Sequence, residues 1–207
     1  MRLTAILTLL FNFSFLGAQD AQALKLLKSI ESKYLKSNYK LDFTMQIKEV
    51  DVKIQAAKKG SFTFSKNAYS MILPDQNIYY DGQTQWTHFV DRKEIQITNS
   101  EISESSYHPL KFIQLYKSDQ FKYRIESMNS TKKTIEFVPL DKNQEYFKVK
   151  LGIENKTGLL SSIEVYLKNG NRFTISILKH TLLKAIDASI FQLNTSAIQG
   201  VHIEDLR

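Results

Sequence analysis

The chain has 207 residues, a formal charge of +7, no cysteine, and only 7 Gly and 3 Pro. With 13 Phe, 10 Tyr and one Trp it has ample material for a core, which fits one globular domain and argues against a collagen-like or low-complexity chain. Without cysteine it can form no disulfide, thiolate metal site, iron–sulfur cluster or cysteine nucleophile.

Arg2 precedes an apolar run over residues 3–16, interrupted only by Thr, Ser and one Asn and followed by Gly17-Ala18. This reads as a secretory signal peptide, residues 1–18, cut after Ala18 to leave one domain over residues 19–207. The competing reading is a transmembrane anchor, for which the run is shorter than the ~20 residues a spanning helix needs. The expected product is soluble and exported, and in an oxidising compartment without disulfides its stability must come from burial.

After Asp20, Leu24, Leu27, Ile30 and Tyr34 recur at helical spacing, while Lys25, Lys28, Glu31 and Lys33 fill much of the other side. The spacing predicts an amphipathic helix capped by Asp20. The period then changes to two: Leu41, Phe43, Met45 and Ile47 alternate with polar residues, the pattern of a strand with one dry face. The same alternation recurs in Phe62/Phe64, Tyr69/Met71/Leu73, Ile78/Tyr80, Ile95/Ile97, Phe121/Tyr123/Ile125 and Ile135/Phe137. It continues in Phe147/Val149/Leu151/Ile153, Ile163/Val165/Leu167 and Phe173/Ile175/Ile177. Turn signals such as Pro74-Asp75, Asp81-Gly82 and Asn169-Gly170 separate these runs, which predicts an antiparallel meander of roughly ten strands. Residues 103–117 break the pattern: Pro109 precedes Leu110, Phe112, Ile113, Leu115 and Tyr116, a short helix begun by proline.

A sheet this long offers more apolar face than two or three helices can cover. It either encloses a lined cavity for an adaptable apolar ligand, or Phe43, Met45, Phe62, Tyr69, Met71 and Trp86 form a dry core; periodicity alone leaves both open.

Little else in the sequence suggests chemistry. His88, His108, His180 and His202 are far apart with no second ligand at helical spacing, and each reads as a surface or boundary histidine. No nucleophile elbow, phosphate loop or dinucleotide fingerprint occurs, and carboxylates such as Glu101 and Glu104 read as a solvated face. No metal, cofactor or catalytic residue is expected. Only Lys58-Lys59 and Lys132-Lys133 pair bases, so no nucleic-acid partner is expected either.

Three stretches carry a family resemblance: Lys59-Gly60-Ser61-Phe62 leading to Asn67-Ala68-Tyr69-Ser70-Met71, then Asp81-Gly82-Gln83-Thr84-Gln85-Trp86, and the ending Val201-His202-Ile203-Glu204-Asp205-Leu206-Arg207. Together they resemble the LolA family of periplasmic outer-membrane lipoprotein carriers. The resemblance implies a mainly β fold with some α, an incomplete (half) antiparallel β-barrel with a helical lid over an apolar cavity. It implies a monomeric, non-enzymatic chaperone that takes acylated lipoproteins from an inner-membrane lipoprotein-releasing ABC transporter of the LolCDE type and delivers them to an outer-membrane acceptor, LolB-like where one exists. On that reading Phe43, Met45, Ile47, Phe62, Phe64, Tyr69, Met71, Trp86, Phe147, Val149 and Leu151 line the cavity, and Leu110, Phe112, Ile113 and Tyr116 form the lid. The family holds its lid with an arginine in the loop before the strand matching residues 69–73. Here that stretch reads Phe64-Ser65-Lys66-Asn67, which makes Lys66 the nearest candidate, although lysine lacks the planar fork of guanidinium donors. The same fold could equally carry another amphiphile, such as a glycolipid or pigment precursor, or sense mislocalised lipoproteins.

Overall fold

The computed structural model describes residues 20–50, 52, 56–65, 67–99 and 108–207. The expected signal peptide, Lys66, Glu101 and Glu104 lie outside the described residues. Helix α1 spans Ala21–Lys36, and a short helix α2, Pro109–Ile113, runs into a 3-10 turn at Gln114–Lys117. The strands are β1 (Asn38–Lys48), β2 (Lys58–Ser65), β3 (Ala68–Ile72), β4 (Gln76–Tyr80), β5 (Thr84–Phe89) and β6 (Glu94–Asn99). They continue with β7 (Phe121–Met128), β8 (Lys132–Pro139), β9 (Tyr146–Glu154), β10 (Leu160–Leu167), β11 (Arg172–Leu183) and β12 (His202–Asp205).

All twelve join one sheet in the order β12-β6-β5-β4-β3-β2-β1-β11-β10-β9-β8-β7. Among the described residues β12 and β7 do not meet, so the sheet is open. Two antiparallel meanders, β1 to β6 and β7 to β11, are joined where β1 pairs with β11. Two strands go beyond the sequence reading. Asp81 accepts from the Gln83 and Thr84 amides at 3.0 and 2.9 Å, and Gly82 takes φ 109°, so the turn closes at once and β5 begins at Thr84. The chain end forms β12, which pairs parallel to β6 and covers its edge.

α1 forms where the sequence predicts it, because Leu27, Ile30 and Tyr34 fall on one stripe and are all buried. Asp20 caps it through the Gln22 and Ala23 amides, and its second oxygen accepts the Ile125 amide of β7 at 2.9 Å. The Ile125 bond, then the Ala23 bond, hold this carboxyl below its ordinary value and pin the helix start to the sheet. α1, α2 and the inward side chains of the sheet form one apolar cluster, in which burying Leu27 or Ile30 contributes about 1.5–3 kcal/mol each. Gly60 makes room in it: a Cβ there would lie 2.7 Å from both Phe43 Cζ and Leu73 Cδ2.

The apolar side of the sheet switches at β5. Tyr69, Tyr80 and Gln85 follow one another across the ladder, and the Tyr69 hydroxyl donates to Gln85 Oε1 at 2.9 Å, so the inward positions of β5 and β6 are Gln85, Thr87, Gln96 and Thr98. Their apolar residues, Trp86, Ile95 and Ile97, point the other way. Ile95, Ile97 and Phe191 are buried outside the main cluster. The C-terminal segment runs past these strands: its 3-10 turn Ala188–Phe191 packs on β3 and β4, and Gln192 Nε2 donates to Asp81 at 3.2 Å.

Candidate functional site

Eight of the expected cavity residues, Phe43, Met45, Phe62, Phe64, Tyr69, Met71, Val149 and Leu151, are buried together on the inward face. Leu110 and Ile113 of α2 are buried against them, and Phe112, Leu115 and Tyr116 pack at the edge. The face is filled in this conformation. The gap left between Leu41, Phe43, Phe62, Met71, Pro109, Ile163, Ile175 and Ile177 is about 10 Å³, room for about one water.

Three expected cavity residues lie elsewhere. Ile47 stands at the end of β1 and is 41% exposed. Trp86 sits across from Tyr79 and Ile97 on the opposite side of the sheet. Phe147 is 47% exposed, because a register shift between Tyr166 and Leu167 pairs those residues with Lys148 and Tyr146 and leaves Phe147 as the bulged residue. The bulge turns Phe147 onto the outer face, edge to face with Tyr166 at 6.0 Å, while Tyr146 packs against the core in its place.

α2 is held down by two polar contacts. Glu31 of α1 is buried, and it accepts from Gln114 Nε2 at 2.7 Å, from the Tyr116 hydroxyl at 2.5 Å and from Lys117 Nζ at 2.5 Å. Burial alone would raise this carboxyl, but the hydrogen bonds from Lys117, Tyr116 and Gln114 outweigh it and hold the group below its ordinary value. Burial and the bond to Glu31 push the Tyr116 hydroxyl up to about 12. The sequence reading places Glu31 on the solvated side of α1. The signal was present: Glu31 is four residues after Leu27 and next to Ile30, inside the buried stripe.

The second contact is His108, which is 1% exposed and not the surface or boundary residue expected. Its Nδ1 accepts the Leu110 amide at 3.0 Å and caps α2, so the ring proton sits on Nε2. Nε2 has no hydrogen-bond partner among the described residues, and the ring is enclosed edge-on by Phe62, Tyr69 and Phe64 at centroid distances of 5.1, 5.4 and 5.7 Å. Burial lowers its pKa to about 3. A proton on Nδ1 would turn the cap acceptor into a donor facing another donor and put a charge among three rings.

Among the described residues no group of three His, Cys, Asp or Glu side chains is placed to hold a metal, and no helix is long and apolar enough to cross a membrane. Fold and site together define a mainly β protein with an open sheet, whose apolar face is covered by helices held down through Glu31 and His108. The sequence model of the outer membrane lipoprotein carrier protein LolA matches residues 37–194, and the chain belongs to this family. No curated protein matches the sequence. Among solved structures, an uncharacterized conserved protein from Thermus thermophilus is similar in fold at 6% identity, with a TM-score of 0.60 over 89% of this chain and 99% of that one. MucB is similar at 12% identity and a TM-score of 0.53, over 85% of this chain and 64% of its own. A LolA superfamily protein from Nitrosomonas europaea aligns at 12% identity and a TM-score of 0.46, over 83% and 98%.

Proposed function

We propose that this chain is a periplasmic carrier that shields the acyl chains of lipoproteins. It takes them from an inner-membrane lipoprotein-releasing ABC transporter and passes them to an outer-membrane acceptor, without covalent chemistry. The observation that carries the reading is the filled apolar face: its cover, α2 with the turn after it, is a short separate piece of chain held by a few side chains. In this reading the sheet is a half-barrel and α2 its lid. Acyl chains displace Leu110 and Ile113 and take their place against Phe43, Phe62, Tyr69 and Met71.

The energies allow the exchange. Each buried methylene is worth ~0.8 kcal/mol, so a sixteen-carbon chain gains on the order of 12 kcal/mol on leaving water. Displacing Leu110 and Ile113 costs about 1.5–3 kcal/mol apiece, and each charged hydrogen bond at Glu31 about as much. With three such bonds the opening costs about 7.5–15 kcal/mol in all, comparable with the gain from one chain, so a second acyl chain secures the exchange, while the cost of opening keeps binding weak enough for an acceptor to strip the cargo. In this reading Glu31 and His108 hold the lid from α1 and from its own start, beside the holding role expected of Lys66. Native mass spectrometry of the protein purified without detergent from the periplasm of its host tests the reading. Bound acylated lipoprotein supports it, free glycolipid or pigment makes the chain a carrier of another amphiphile, and persistently empty protein overturns it.

A further inference from the structure

β10 and β11 part company halfway along. Their pairing runs from Tyr166 opposite Arg172 to Ser162 opposite Ser176 and stops there, although β11 continues to Leu183 on the arm of β1 and β10 begins at Leu160. Residues 177–183 therefore have a strand on one side only among the described residues. Between the parted strands lies an open crevice of about 660 Å³.

Tyr34 of α1 reaches both walls. Its hydroxyl accepts from the Leu160 backbone, which has no β11 partner at that point, and bonds His180 Nε2 at 2.9 Å, so the helix ties the two walls where the ladder does not. The walls combine two chemistries. Tyr39, Leu160, Ile177 and Leu182 make an apolar side, with Leu182 61% exposed. Lys132 and Lys179 line the polar side, and neither has an ion-pair partner among the described residues. Glu154, the acid in the lining, already accepts the Thr157 hydroxyl at 2.7 Å. Ser161 Oγ is buried without a partner among the described residues. Ile177 lines both this crevice and the apolar gap beneath α2, so one side chain separates the two spaces.

Resting on the carrier reading, we propose that this crevice holds the extended peptide that follows the acylated end of the cargo. That peptide runs along the free edge of residues 177–183 as an added strand, and its carboxylates meet Lys132 and Lys179 while the acyl chains pass Ile177 into the interior. An unpaired strand edge supplies main-chain bonds to any extended peptide, and the two free cations select acidic ones. The split sheet thereby solves a geometric problem, since a cargo whose lipids are buried must still leave its polar chain in water.

The test uses three synthetic probes: a diacylated cysteine peptide with a short acidic extension, the diacylated cysteine amide alone, and the extension without lipid. A photo-crosslinking residue replaces Leu182 and, as a control, Ile47 at the end of β1. The lipopeptide is expected to crosslink at 182 through the residues next to its acylated cysteine and not at 47. The double variant Lys132→Glu/Lys179→Glu is expected to weaken the lipopeptide by about three- to tenfold at low salt, less at high salt, and to leave the amide unchanged. Tight binding of the lipopeptide with crosslinks elsewhere, or equal effects of the double variant on lipopeptide and amide, overturns the crevice assignment and leaves the carrier reading standing. If neither lipidated probe binds the unaltered protein, both fall.

Discussion

Two spaces share Ile177 as a wall, and they could hardly differ more. Beneath α2 the protein has packed its own side chains until about one water's worth of room remains; between β10 and β11 it leaves an open crevice of about 660 Å³ with two lysines that have no ion-pair partner among the described residues. The difference shows where a displaceable contact can sit. The apolar space stays closed because Leu110 and Ile113 occupy it and Glu31 and His108 hold them there. The crevice stays open because an unpaired strand edge flanked by polar side chains is satisfied by water.

The contrast is broken most strongly at Ile113. Ile113→Ala removes a fully buried side chain and should cost about 2–5 kcal/mol of stability in chemical denaturation. Because that loss falls on the closed form, the variant should also bind a diacylated peptide more tightly, whereas Phe62→Ala, which damages the cup itself, should bind it more weakly. Next comes the clasp. Glu31→Gln removes the charge paired with Lys117, costing about 1.5–3 kcal/mol and speeding hydrogen exchange in residues 110–117 by at least tenfold.

The pH response sharpens the same point. His108 is held neutral by burial, so the unfolded or released form binds a proton near pH 6.5 while the closed form resists until about 3. Stability is therefore complete above about pH 6.5 and falls as pH drops below it. His180, also lowered by burial, acts in the same direction, and Glu31, whose carboxyl is held low, adds a further loss below its ordinary range. Between pH 6.5 and 5 the His108 share is about 2 kcal/mol, or roughly 5 °C in melting temperature. His108→Asn keeps a cap acceptor and should make that limb shallower, leaving the slopes due to His180 and Glu31. The smallest effect belongs to the crevice: Leu178→Ser and Leu182→Ser, at positions 63% and 61% exposed, should stay within about 0.5 kcal/mol of the parent.

Much of this molecule was legible in its residues. The period of two in β1, β2 and β3 and the stripe in α1 follow from local geometry, and they place Phe43, Phe62, Met71, Leu27 and Ile30 correctly. What periodicity cannot carry is which side of a sheet another part of the chain will cover. Ile95 and Ile97 alternate as the sequence reading has them but, like Trp86, face away from the main core. Phe147 alternates with Val149 and Leu151, yet one bulged residue reverses it. The two contacts that hold α2 are polar residues in apolar settings: the place of Glu31 in the buried stripe of α1 is legible locally, but its partners Gln114, Tyr116 and Lys117 lie far away in sequence, and so do the rings that enclose His108. Where β10 and β11 part, Tyr34 reaches both Leu160 and His180, a meeting that no local pattern encodes.

The central claim is that α2 leaves the apolar face when acyl chains arrive. Hydrogen–deuterium exchange of the protein alone and saturated with a diacylated cysteine peptide tests it directly. The account predicts that residues 110–117 lose protection on binding while β1, β2 and β3 keep theirs. Full occupancy by the lipopeptide, verified by native mass spectrometry, with protection of residues 110–117 unchanged or increased would contradict it.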